Sequence, residues 1–376
     1  MARDVEILRV DPGSREEMEF IRLPATIYAG NDRYVPWFTR NMRRLIARRH
    51  PFFEHSAGEF FVARREGRAV GRICMLEPRR FNEYRKRRDA RFYFLELEDD
   101  AAVAGALFDH AAKWAADRGL DRLIGPQGFS SFAGSGILID GFEYRASMTM
   151  MPYHPPYYRK QMEGQGFEKY KDFYSALLAE GRHDLMPRYR RAAEIAMKRS
   201  GLEAPPLRSK RELRKVAAEV GRIYNDSWDD HEEFVPLTDA ELQEIIDDLV
   251  LVSVPSLIRV FRARGEVAGF VLAFPDLSEA LIRANGRLNP LTMLSVLREK
   301  RRTNHFLVNG LGILPEYRNS GGLPLLFKEI TDALRQHGAA TAEMTQIAET
   351  TDLMLSNIDK LGAEVYKTHR VYRRAV

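Results

Sequence analysis

The chain repeats itself at a nearly fixed distance, and that repeat constrains its fold more than any other feature. Residues 60–76, FFVARREGRAVGRICML, resemble 257–275, LIRVFRARGEVAGFVLAFP. Each reads as apolar strand, charged tight turn, apolar strand. Gly67 and Gly265 are 198 residues apart, as are Gly71 and Gly269. GFEKYKDFY and GAEVYKTHR share Gly166/Gly362, Glu168/Glu364, Tyr170/Tyr366 and Lys171/Lys367 at a spacing of 196. IYAGNDRYVPW and IYNDSWDDHEEFVPL align Ile27 with Ile223 and Tyr28 with Tyr224, again 196 apart. Three matches in one order at nearly one offset predict two copies of a single α/β unit. The expected domains are 1–180 and 201–376, joined over 181–200 by a helical linker, LMPRYRRAAEIAMKRSG.

Each copy carries strands and helices in a similar order. In the first, the strands VEILRV and RFYFLEL bracket the 60–76 hairpin, and AAVAGALFDHAAKWAADRG has apolar positions at helical spacing. LDRLIG and FEKYKDFYSALL follow as strands. The second copy offers the amphipathic LRKVAAEVGRIY and a helix at TDAELQEIIDDL opened by a Thr238/Glu241 capping box. HFLVNGLGIL, AEMTQI and EVYKTHRVY complete its strands.

The composition excludes several classes. The 376 residues hold 58 basic and 53 acidic side chains, a net charge of 58 − 53 = +5, which by itself does not indicate nucleic acid. One cysteine, Cys74, forbids an internal disulfide and fits a reducing cytoplasm. It lies in the apolar GRICML and reads as a buried strand residue. The start, MARDVEILRVD, has no signal-peptide core, and the greasiest stretch, LVLVSVPSLIRVF, is too short and proline-broken to span a bilayer. A cytoplasmic location is expected. No H-E-x-x-H or Cys/His cluster points to a metal, and Ser135 lies in no G-x-S-x-G elbow.

The segment GILPEYRNSGGLPLLF, 312–327, runs from a strand through two glycines into a helix. That is where a phosphate meets free backbone N–H groups and the positive end of a helix dipole. Gly321 and Gly322 remove Cβ atoms, Pro324 suits the first helical turn, and Arg318 adds a fixed positive charge. The pattern is neither the P-loop nor G-x-G-x-x-G. Asn319 and Ser320 complete the loop. At the corresponding place the first copy has LELEDDAAVAGALF, with Phe108/Phe327 and Gly119/Gly338 both 219 apart. There Glu98, Asp99 and Asp100 would repel phosphate.

ILPEYRNSGGL, preceded by a strand and followed by a long helix, resembles the hallmark of the GNAT superfamily of acyl-CoA N-acyltransferases. Arg318 and Gly321 match the first and fourth hallmark positions, and Leu323 stands where the family has Gly or Ala. The resemblance implies an α/β (α+β) fold of two tandem GNAT-like domains, each with a mixed, mostly antiparallel central sheet flanked by helices. It implies a donor, acetyl-CoA or another acyl-CoA, held by Arg318, Asn319, Ser320, Gly321, Gly322 and Leu323, with the strand near Ile313 beside the pantetheine. The acceptor is then a small-molecule or peptide amine. The first copy, with its acidic loop, becomes a scaffold or substrate wall. Asn309, Glu349 and Tyr366 are the candidates for assisting proton transfer. The tyrosine many relatives use as general acid is replaced here by Ile358.

Two segments stay open. RRFNEYRKRRDAR, Arg79–Arg91, carries seven basic and two acidic residues, and reads as a solvated loop or a docking site for an acidic carrier, acyl carrier protein or tRNA. Tandem relatives that use aminoacyl-tRNA or acyl carrier protein as donor make a carrier-dependent transferase the nearest alternative. A non-catalytic acyl-CoA or metabolite-binding module is another. The 125–158 loop, rich in Gly, Ser, Met and aromatics, is expected to cover a cleft and select the acceptor, or to wrap one domain.

Overall fold

The computed structural model describes residues 5–130, 133–179, 187–227, 232–318 and 320–376. Along the chain run β1 (Glu6–Arg9), α1 (Arg15–Ile27), α2 (Thr39–Ile46), β2 (Ala57–Arg65), β3 (Arg68–Glu77), α3 (Arg79–Arg85), β4 (Asp89–Leu97), α4 (Ala101–Ala116), β5 (Arg122–Gly125), β6 (Ile137–Asp140), α5 (Tyr157–Gly164) and β7 (Glu168–Ala179). Then come α6 (Pro187–Ser200), β8 (Leu202–Glu203), α7 (Lys210–Ser227), α8 (Asp239–Val252), β9 (Ile258–Ala263), β10 (Glu266–Pro275), α9 (Ser278–Ala284) and α10 (Pro290–Arg302). The chain finishes with β11 (His305–Ile313), α11 (Gly322–Gln336), β12 (Thr341–Ala348), α12 (Asp352–Leu361) and β13 (Glu364–Ala375).

The chain divides into two compact units. The first contains residues 1–174, 277–299 and 367–376; the second contains 175–276 and 300–366. The simple succession of domains, 1–180 then 201–376, is thus crossed by two segments that pack with the first unit. The linker expected over 181–200 is also different: 180–186 lie outside the described residues, and α6 packs within the second unit against α11.

In the first unit the sheet order is β1-β2-β3-β4-β5-β13, with β6 also on β13. Pairing is antiparallel except between β4 and β5, which run parallel over Asp89–Arg91 and Arg122–Ile124. The second unit has β12-β11-β10-β9-β8, antiparallel except for β11 with β12. Within each unit the strand pairing is therefore mixed and mostly antiparallel. The repeated hairpins are built alike. Glu66/Gly67 have φ of 51° and 76°, and Arg264/Gly265 have 53° and 88°. Two successive left-handed residues make the tight turn whose twist suits antiparallel strands, and glycine carries the second position without strain.

Local sequence closes the helices. Ser14 accepts from Glu17 N at 3.1 Å. Thr238 and Glu241 form the reciprocal capping box, Glu241 N donating to Thr238 Oγ1 at 3.2 Å and Thr238 N to Glu241 Oε2 at 2.9 Å. Cys74 is buried in β3 and burial pushes its thiol well up, so it is a core residue.

The closing strand β13 departs from the sequence reading. From Lys367 onward it belongs to the first unit, pairing Tyr372 with Gly125 and Ala375 with Arg122. Arg370 fastens it there by a bidentate pair to Asp172, 2.8 and 2.9 Å. Periodicity alone gives a strand's existence and not its partner.

The Arg79–Arg91 segment is a helix and a strand rather than a loop. Phe81 is buried, Arg91 lies over its ring at 4.1 Å, and Arg87 donates to the Tyr170 hydroxyl at 2.9 Å. The long 125–158 segment packs in the first unit: β6 joins β13, and Met148 N donates to Ser278 Oγ at 2.8 Å. Residues 131 and 132 of it lie outside the described residues.

This segment also buries His154. Leu138 N donates to its Nδ1 at 3.3 Å, and burial, with the nearby His369, holds its pKa down at about 3. A base depressed in this way supports stability fully above its ordinary 6.5, and that support is lost as pH falls toward about 3. Stability should therefore fall with a slope of about 1.4 kcal/mol per pH unit from this one group below pH 6.5. Urea denaturation across that range should show a shallower slope in His154→Gln; equal slopes would contradict the assignment.

Candidate active site

The second unit holds a break in its own sheet. β11 and β12 pair in parallel from His305 with Thr341 to Val308 with Met344, and among the described residues the pairing ends there. The cause lies in both strands. In β11 a bulge falls opposite Leu272, because Val308 pairs with Ala273 and Leu311 with Val271. Gly310 takes φ 102° within it. In β12, Gln346 takes φ 55°, a left-handed value inside a strand. These two irregular residues lie at the level where, among the described residues, the β11/β12 pairing stops, while Leu311–Ile313 stay paired with β10.

Asn309, buried at the bulge, donates through Nδ2 to Gln346 Oε1 at 3.1 Å. This amide pair sits where the strands separate. Gln346 was not singled out in the sequence, where it is one of three polar residues in AEMTQI. Next to it Thr345 is buried, and its hydroxyl makes no hydrogen bond among the described residues. Glu349 is half-buried in the turn after β12, and Tyr366 is half-buried near the start of β13.

The glycine loop follows β11. Ile313 is buried, pairing with Gly269. Pro315–Tyr317 form one 3-10 turn, and Arg318 Nε donates back to Ile313 O at 3.4 Å. Ser320 Oγ donates to Tyr317 O at 3.1 Å. Asn319 lies outside the described residues. Gly321 caps α11 at φ 90°, and Leu325 N donates to its carbonyl at 3.1 Å.

Close packing supplies a second reason for these glycines. A Cβ on Gly321 would lie 2.4 Å from the Ala196 Cβ of α6, and one on Gly322 would lie 2.8 Å from Cζ of Phe261. Ala193 and Ala196 are buried at this helix crossing. Leu323 is buried in the same core with Phe261, Leu326 and Ile330, so its side chain faces inward. The loop presents the first turn of α11 and the half-buried Arg318, while the space beside Gly321 is taken by α6.

The first unit shows the same strands and a different outcome. β4 has its own left-handed residue, Phe94 at φ 47°, and parts from β5 after Arg91 and Ile124. The gap is filled by the chain itself: Gln127 N donates to Phe92 O at 2.9 Å, and Phe129 packs among Phe60, Tyr93 and Phe94. At the start of α4, Asp100 Oδ1 accepts from Ala102 N at 2.8 Å, and its other oxygen meets Arg65 at 2.6 Å. Glu98 pairs with Arg68, and Asp99 accepts from Gln161 at 2.6 Å. A carboxylate therefore occupies the N-terminal position that an anionic ligand would need.

Among the described residues, no group of three or more His, Cys, Asp or Glu is placed to hold a metal ion, and no helix is long and apolar enough to cross a membrane.

No family model matches the chain. It is 29% identical over 374 residues to a bacterial ceramide synthase of Caulobacter vibrioides, covering 96% of this chain and 95% of that protein. It is 25% identical over 365 residues to protein YghO of Escherichia coli K12, covering 95% and 92%. Among solved structures it resembles a tandem GNAT protein from the clavulanic acid biosynthesis pathway, with a TM-score of 0.56 at 15% identity over 99% of this chain and 98% of that one. The repeated units, the mixed sheets and these likenesses agree: the chain has the GNAT fold, in tandem.

Proposed function

We propose that this protein is an N-acyltransferase that moves a fatty acyl group from a thioester to the amine of a long-chain amino alcohol. The observation that carries the reaction class is the parted β11/β12 pair, with the Asn309–Gln346 bridge at its apex. The acceptor class comes from full-length similarity to a protein named as a ceramide synthase, a ceramide being the N-acyl derivative of such an amino alcohol.

In this reading the thioester arm lies along β11. The neutral amine attacks the carbonyl carbon, the C–N bond forms, the C–S bond breaks, and the thiol departs with a proton. The amides of Asn309 and Gln346 neither gain nor lose a proton; they orient the acceptor against the carbonyl. Glu349, three residues beyond Gln346, is the carboxylate assigned to take the amine's proton, directly or through water. Coenzyme A would be held by Arg318 and the first turn of α11.

The packing of α6 on Gly321 favours a second reading of the donor, an acyl group presented on a carrier protein. Two titrations separate them. If coenzyme A is the donor handle, Arg318→Glu should weaken long-chain acyl-CoA binding by about tenfold or more, as expected for reversing a charge beside phosphate. Equal affinity of wild type and variant would move the donor to a carrier. Incubation with a long-chain acyl thioester and a long-chain amino alcohol should yield amide and free thiol in equal amounts. No amide from any thioester would refute the enzyme reading and leave a binding module.

A further inference from the structure

Helix α10 is built with its apolar face turned to solvent. Leu291, Leu294 and Leu297 are 78%, 64% and 52% exposed, and Met293 and Leu288 are exposed beside them. At 100° per residue, Leu291, Met293, Leu294, Leu297, Arg298 and Arg301 share one side of the helix. The opposite side carries Thr292, Val296 and Glu299, which are partly covered. An ordinary surface helix shows the reverse arrangement.

The helix is held firmly in this orientation. Asn289 and Thr292 cap it reciprocally, Thr292 N donating to Asn289 Oδ1 at 2.9 Å and Asn289 N to Thr292 Oγ1 at 2.8 Å. Arg283 pairs with Glu299 on its covered side at 2.5 Å. The preceding turn is fixed by Thr39 N donating to Gly286 O at 2.9 Å. The exposed leucines therefore belong to a positioned element.

We propose that α10 is a docking face for an anionic membrane surface. Two observations select that occupant. The apolar stripe is flanked by Arg287 before it and by Arg298, Arg301 and Arg302 at its end, all exposed. This is the charge pattern of a helix that lies in the headgroup layer, with leucines among the upper acyl chains and arginines at the phosphates. Thirteen residues are too few to span a bilayer, so the helix lies along it. The inference rests on α10 alone and does not require the acceptor assigned above.

The test is flotation of the full chain with vesicles of phosphatidylcholine alone and of phosphatidylcholine with phosphatidylglycerol. Wild type should float with the anionic vesicles, and binding should weaken with added salt. Leu294→Asp/Leu297→Asp should lower the bound fraction by about tenfold or more, since each leucine withdrawn from water is worth at least that. Arg298→Glu/Arg301→Glu should lose the preference for anionic lipid by a similar factor. All the substituted residues are exposed, so circular dichroism should be unchanged. Failure of wild type to float, or flotation retained by the leucine variant, would overturn the proposal. So would light scattering that shows a wild-type dimer broken by the leucine variant, because a second copy would then cover the face.

Discussion

Replacing Glu96 with alanine should destabilise the protein by about 3–5 kcal/mol, the range found when one partner of a buried ion pair is removed. Arg72 and Glu96 face each other on β3 and β4, with Arg72 Nε donating to Glu96 Oε2 at 2.5 Å. Arg72 is almost wholly buried, its Nη1 donates to Phe20 O at 2.6 Å, and its guanidinium lies 4.7 Å from the Phe20 ring centroid. Without Glu96 that charge stays in the core of the first unit uncompensated. The double variant Arg72→Met/Glu96→Leu, which removes both charges at similar volume, should recover most of the loss. Chemical denaturation of the single and double variants checks this. A Glu96→Ala cost below 1 kcal/mol would mean that water or another carboxylate supports Arg72.

Asn309→Ala should lower kcat/KM for acyl transfer by about 100-fold, the scale on which loss of one orienting polar group acts in an acyl-transfer site. Its effect on stability should stay near 1 kcal/mol, since one neutral hydrogen bond to Gln346 is lost. A large kinetic effect with a small stability effect is the signature of a positioning residue; an equal fall in both would mark Asn309 as purely structural. Gln346→Ala is the partner control, since it removes the same bridge from the other side.

The duplication was legible because hairpin turns demand particular residues. Glu66-Gly67 and Arg264-Gly265 both need two left-handed residues, and the sequence carries that demand openly. The cap at Thr238 was readable for the same local reason. The destination of β13 was not legible, because the Arg370–Asp172 pair joins positions 198 residues apart and leaves no local pattern. The glycine loop was legible as a loop. Its second cause, contact of Gly321 with Ala196 on α6, lay in tertiary packing that composition does not record. The Asn309–Gln346 bridge was half legible: Asn309 stands out in HFLVNGLGIL, whereas Gln346 acquires its place only through a backbone irregularity no propensity reports.

The measurement that bears most directly on the proposed site is photo-crosslinking with a thioester whose acyl chain carries a diazirine, mapped by mass spectrometry. Label should appear on the second unit, on residues 309–313 and 345–349, and should be displaced by unmodified thioester. Displaceable label on the first unit instead, around Phe94–Leu97 and Gly125–Phe129, would place donor binding at the opening that this chain fills with its own aromatic side chains, and would contradict the assignment.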